Sequence, residues 1–241
     1  MARVIKKKKK QRTAPGGEDF ETTFARVGDA LLRKQRQLIW AAASFAVLIV
    51  LATGVLFYFR AAASSAQKYT YAGFKRYFGL YQDIPVVHSE RARLALEEFA
   101  DAYEAKPEPY SLLFVAYSHY DMGQYGEAMK ALKELRAKFP EQEPFTSVAL
   151  YKMAMVSLQE GRAEDALSFL ETLSSSKSDS LKDLALMDAA RILEGMGKKE
   201  EAREKYEALA TSFPESPFAG QARAKAGLPE QGEGAQPEGK G

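Results

Sequence analysis

One signature recurs at a spacing that leaves few folds open to this chain. Gly123-Gln-Tyr-Gly-Glu-Ala128 is followed by Gly161-Arg-Ala-Glu-Asp-Ala166 and by Gly197-Lys-Lys-Glu-Glu-Ala202. With Ala95 ahead of them, the alanines are 33, 38 and 36 residues apart. Four places after each stands a large apolar or aromatic residue: Phe99, Leu132, Leu170 and Tyr206. Three places further come Ala102, Leu135, Leu173 and Leu209. Pro107, Pro140 and Pro214 close three of the four units, and Ser178 stands there in the third. Glycine supplies the conformation that ends one helix, the acidic residues favour the start of the next, and alanine lets the pair approach closely. Periods near 34 of this kind mean stacked helical hairpins, each burying its face on the next. Ala, Leu, Glu and Lys dominate at helical periodicity, so the fold class is all-α, with a solenoid expected over residues 60–227.

A second feature sets where that solenoid works. Leu38 to Phe59 is a run of 22 residues without a charge. At roughly 1.5 Å per residue it is about 33 Å long, enough for a bilayer core of about 30 Å. A transmembrane helix is therefore expected over residues 38–59, with Trp40 and Tyr58 near its two ends, where amphipathic rings settle. A cleaved signal peptide is the rival reading, and Ala61 to Ala66 offers small residues for cleavage. Signal cores run about 7–15 residues, however, and the segment before this one is long. Residues 1–37 hold 11 Lys or Arg against 4 Asp or Glu, while residues 61–241 hold 22 against 28. Positive charge stays inside, so the N-terminus is expected in the cytoplasm and the repeat domain outside.

Residues 1–17 read as a disordered basic arm, with a lysine run from Lys6 to Lys10 and the helix-breaking Pro15-Gly16-Gly17. In residues 18–37, Phe20, Phe24, Val27 and Leu31 mark one face of an amphipathic helix at the membrane, where Lys and Arg attract anionic lipid. Nucleic acid is disfavoured as a partner because no stacking aromatics lie between the lysines. At the other end, Ser216 and Pro217 read as a helix cap and first position, with a capping helix from Phe218 to Ala226 ended by Gly227. Residues 228–241, rich in glycine and proline, read as a disordered tail.

No set of residues points to catalysis, a cofactor or a metal, and the chain is expected not to be an enzyme. There is no cysteine, hence no disulfide, thiolate site or cysteine nucleophile. His88 and His119 lack a metal-ligand partner at helical spacing, and His119 is expected to pack in the core. Gly123, Gly126, Gly161 and Gly197 are expected to be turn glycines, with no phosphate-cradling loop among them.

The repeated positions resemble the tetratricopeptide repeat over about residues 90–215. Leu112, Leu150 and Leu186 stand where an aromatic is usual, and His119, Ser157 and Leu193 where tyrosine is common. The first unit lacks a recognisable first helix. Ala66 to about Asp83, with Tyr69, Tyr71, Phe74, Tyr77, Phe78 and Tyr81, takes its place, continuing from the membrane helix and docking on the first full repeat. By this resemblance the first helices line a concave protein-binding face. Its residues are Tyr110, Leu113, Tyr117, Tyr120 and Asp121, then Val148, Tyr151, Met155, Leu158 and Gln159, then Leu184, Met187, Arg191 and Glu194. Aromatics and Met suit apolar segments of a protein partner. The Lys/Asn pattern that clamps a terminal carboxylate is missing, since positions 113 and 117 are Leu and Tyr.

The whole layout resembles the membrane-anchored, tetratricopeptide-like ancillary subunit of the bacterial SecYEG translocon. That resemblance implies an inner-membrane protein with a periplasmic domain, protein partners among SecYEG, periplasmic chaperones and exported clients, and a role in protein transport. The ending FPESPFAGQARAKAG is also similar to envelope repeat proteins, including the cell-division coordinator type. A scaffold in a division or outer-membrane assembly complex is the alternative.

Overall fold

A computed structural model describes residues 34–80 and 87–229, together with Ala25 and Gly28. The expected basic arm, most of the amphipathic helix and the tail beyond Pro229 lie outside the described residues, as does Tyr81. The chain divides into two compact units, Met1–Arg60 and Ala61–Gly241. The described residues form helices without a strand. They are α1 Gln35–Tyr77, α2 His88–Ala105, α3 Pro109–Asp121, α4 Tyr125–Lys138, α5 Glu143–Gln159, α6 Ala163–Ser174, α7 Lys182–Gly195, α8 Lys199–Ser212 and α9 Ala219–Ala226.

In the first unit, α1 carries the apolar run. Its most apolar stretch has no buried residue, and it is the one described helix long and apolar enough to cross a membrane. Trp40 is 73% exposed and Phe57 76%. The helix continues past Arg60 into the second unit as far as Tyr77.

In the second unit each helix packs on the next in chain order, and α3 also meets α5. The repeat positions explain why. Ala95, Ala128, Ala166 and Ala202 are at most 1% exposed, as are Phe99, Leu132, Leu170 and Tyr206. Ala102, Leu135, Leu173 and Leu209 are fully buried. Three buried positions on each second helix, alanine first and mostly larger residues after it, thus supply the packed clusters along the repeats. The turns follow one plan. Gly123, Gly161 and Gly197 have φ of +72°, +73° and +79°. After each, the next residue's N–H donates back to the preceding helix: Gln124 to the His119 carbonyl, Arg162 to Ser157 and Lys198 to Leu193, at 2.8–2.9 Å. That is the glycine-terminated cap of an α-helix. Acidic residues stand in the first turn of α4, α6 and α8.

The end of α1 fills the place of the missing first helix. Tyr77 and Gly73 are buried there, and the Phe74 and Phe99 rings meet edge to face at 5.6 Å. Arg76 pairs with Glu98 of α2 at 2.9 Å. Two local expectations are corrected. The last helix starts at Ala219, not at Pro217. Ser216 stands just ahead of it, its hydroxyl accepting from the Phe218 N–H at 3.2 Å as expected of a cap and also donating to Asp183 at 2.6 Å. His119 is only half-buried, and its Nδ1 lies 2.7 Å from Gln124 Oε1 in the turn.

Candidate functional site

The first helices α3, α5 and α7 share a face, and tyrosine marks it. Tyr110, Tyr117 and Tyr120 stand on α3 and Tyr151 on α5, all half-buried. Below them Phe114, 9% exposed, gathers the rings of the first repeat. Phe74, Phe99, Tyr110, Tyr77 and Tyr117 lie 4.8, 5.0, 5.1, 5.6 and 5.4 Å from it, centroid to centroid. Such offset and edge contacts suit ring quadrupoles and leave the outer rings little freedom.

Polar contacts tie each first helix to its neighbour across this face. The Tyr77 hydroxyl of α1 donates to Asp121 Oδ2 of α3. His88 Nε2 lies 2.9 Å from the same oxygen. Lys152 of α5 places its Nζ 4.5 Å from the Tyr117 ring centroid and 4.3 Å from that of Tyr120. The Tyr151 hydroxyl donates to Asp188 Oδ2 of α7 at 2.8 Å, and Arg191 donates to Asp188 Oδ1 at 3.2 Å. Burial raises the Tyr117 hydroxyl above its ordinary value, with the Asp121 charge adding to it. Burial, then the bond to Asp188, raises Tyr151 as well. Both rings stay neutral, hydrogen-bonding surfaces across physiological pH.

The expected lining sorts into three groups. Tyr110, Tyr117, Tyr120, Val148, Tyr151, Met155, Leu158 and Leu184 are half-buried, and Arg191, Gln159 and Glu194 are exposed. Asp121 is on the face but already holds Tyr77 and His88. Leu113 and Met187 do not line the face: they are 6% and 0% exposed and belong to core clusters. They share one register with Tyr151, ten places before the turn glycine, where only the tyrosine is long enough to carry a polar tip outward. Two residues were missed, Lys152 and Asp188. Both stand nine places before a turn glycine, where the earlier repeat has Phe114. A charge at a register that is aromatic elsewhere was the available signal. Among the described residues no group of three His, Asp or Glu gathers to hold a metal.

Comparison with known proteins agrees with this architecture. A sequence model of the tetratricopeptide repeat-like domain matches residues 39–222, taking in the apolar run as well as the repeats. Comparison with curated protein sequences returns no match. Among solved structures, a MamA protein is 17% identical, with 68% of this chain and 84% of that one covered, at a TM-score of 0.48. A MamA fragment from Desulfovibrio magneticus is 16% identical, covering 67% and 85%, at 0.49. The TPR2AB domain of yeast Sti1, solved with an HSP90 peptide, is 16% identical, covering 67% and 71%, at 0.41.

Proposed function

This chain belongs to the tetratricopeptide repeat-like domain family, and from that premise we propose that it is a docking protein held at a membrane. A segment of a partner protein lies on the shared face of α3, α5 and α7, and the apolar half of α1 fixes the chain in the bilayer. The observation that carries the docking reading is the set of rings on that face. Tyr117, Tyr120 and Tyr151 are preorganised by the contacts beneath and between them, yet remain accessible. Rigid aromatics of this kind supply contact area at low entropic cost. The exposed flank of α1 supports the anchor, since an apolar surface that long is a liability in water and is matched in lipid.

The charge asymmetry across the run supports a cytoplasmic N-terminus and an outer, periplasmic repeat domain. The basic arm then meets anionic lipid on the inner leaflet. The resemblance to the ancillary SecYEG subunit supports a place beside the Sec translocon, where the domain holds emerging chains or passes them to periplasmic chaperones. The similarity of the ending FPESPFAGQARAKAG to envelope repeat proteins favours the second reading, a scaffold in a division or outer-membrane assembly complex.

The test is purification of the full chain in mild detergent, with mass spectrometry of what accompanies it. Translocon subunits or periplasmic chaperones are expected. Division or outer-membrane assembly proteins in their place would move the function to the scaffold. Recovery of the chain alone would contradict both.

A further inference from the structure

Among the described residues the docking face carries a charge without an ionic partner, and, given the docking reading above, its chemistry says what kind of segment fits. Most charges on this face are already matched. Arg191 and the Tyr151 hydroxyl both donate to Asp188. Asp121 Oδ2 accepts from Tyr77 and contacts His88. Lys152 differs. It is half-buried, its Nζ rests on the Tyr117 and Tyr120 rings, and no carboxylate of the described residues stands within 4.0 Å of it. Burial pushes its ammonium below the ordinary lysine value, partly offset by the Asp121 charge. A cation there has given up water, and ring faces replace only part of what it lost. Among the described residues no oxygen acceptor meets its N–H donors, and a carboxylate supplies one in a charge-assisted bond.

We propose that this face takes an extended protein segment with an Asp or Glu side chain set among apolar residues, its carboxylate seated on Lys152. The acid belongs to a side chain inside the segment and not to a chain terminus. The Tyr117 and Tyr120 rings of α3 border Lys152, and Tyr151 of α5 reaches the other way, its hydroxyl bound to Asp188 of α7. A chain ending at the ammonium would cover the rings on one helix, whereas a continuing chain covers those on α3 and Tyr151 as well. Phosphate-rich partners are disfavoured because Asp121 and Asp188 stand on the same face.

The experiment is selection from a randomised decapeptide library, every member amidated at its C-terminus, on the full chain in nanodiscs. The expected result is enrichment of Asp or Glu at one position with apolar neighbours. That preference should be lost on Lys152→Gln and kept on Lys152→Arg. On the unaltered protein, changing the selected acid to its amide should weaken binding about tenfold, an arm that needs no variant to fold. Enrichment of apolar peptides without an acidic preference, or a preference unchanged by Lys152→Gln, would overturn the proposal and leave the docking reading intact. Enrichment no greater than on a folded Tyr117→Ala, Tyr151→Ala double variant would overturn both.

Discussion

At position 73 a single hydrogen in place of a side chain lets α1 lie against α2. A Cβ built there would meet the Phe99 ring at 2.7 Å, and Phe99 is fully buried and cannot swing away. Gly73→Ala should therefore destabilise the repeat domain by about 1–3 kcal/mol, the usual cost of overpacking. Gly126, also inside a helix, has open space around its Cβ position. Gly126→Ala should stabilise by up to about 1 kcal/mol, since alanine has the higher helix propensity. Thermal unfolding of both variants followed by circular dichroism should show shifts of opposite sign. Nothing in the sequence separated these two glycines, because a helical pattern does not say which ring crosses a given turn. The buried alanines were legible, by contrast, because the repeat placed each one at the same register four times. Lys152 was not, since a lone lysine in a helix usually reads as a solvated face.

Among the elements, the turns between paired helices are the most regular. Gly123, Gly161 and Gly197 all sit at positive φ with open space around them, so the backbone and not crowding demands glycine. Replacing any one by alanine should cost about 1 kcal/mol through the left-handed conformation alone. The three losses should add in a triple variant, because the turns lie in different hairpins. These turns were readable because glycine and the following acidic residues carry a local signal. The final helix was less so. The Ser216-Pro217 pair made the local bond from the Phe218 N–H legible, but not the helix start at Ala219 or the donation of Ser216 to Asp183 of α7, whose partner is distant in sequence. α9 packs Ala219, Ala222 and Ala226 against Tyr206 and Leu209, and Lys225 adds a surface pair, donating to both oxygens of Glu194 at 2.9 and 3.2 Å. The Lys225 bond first, then the one from Tyr206, holds the Glu194 carboxyl below its ordinary value. A depressed carboxyl contributes stability above its unfolded value that is lost as the pH falls through the folded one. Glu194→Gln should thus lower the melting temperature near neutrality and flatten its decline in acid.

For the molecule as a whole, tyrosine couples the fold to alkaline pH. Burial raises Tyr110, Tyr117, Tyr120, Tyr151 and Tyr206, the last pushed up to about 12 with help from its bond to Glu194. The stability this represents is fully present below the ordinary phenol value of 10.0 and is lost as the pH rises through the folded values. Unfolding should therefore begin above pH 10, with phenolate absorbance appearing in step with loss of helix, and Tyr206→Phe should soften that limb. The claim at the centre of the account is that the tyrosine face of this repeat domain is where partner proteins dock. In-cell photo-crosslinking tests it most directly, with a photoreactive residue at Tyr117 or Tyr151 and a control at Glu204 on the second helix α8. Adducts to another protein from Tyr117 and Tyr151, and none from Glu204, are predicted. Equal adducts from Glu204, or none from the tyrosine positions, would contradict it.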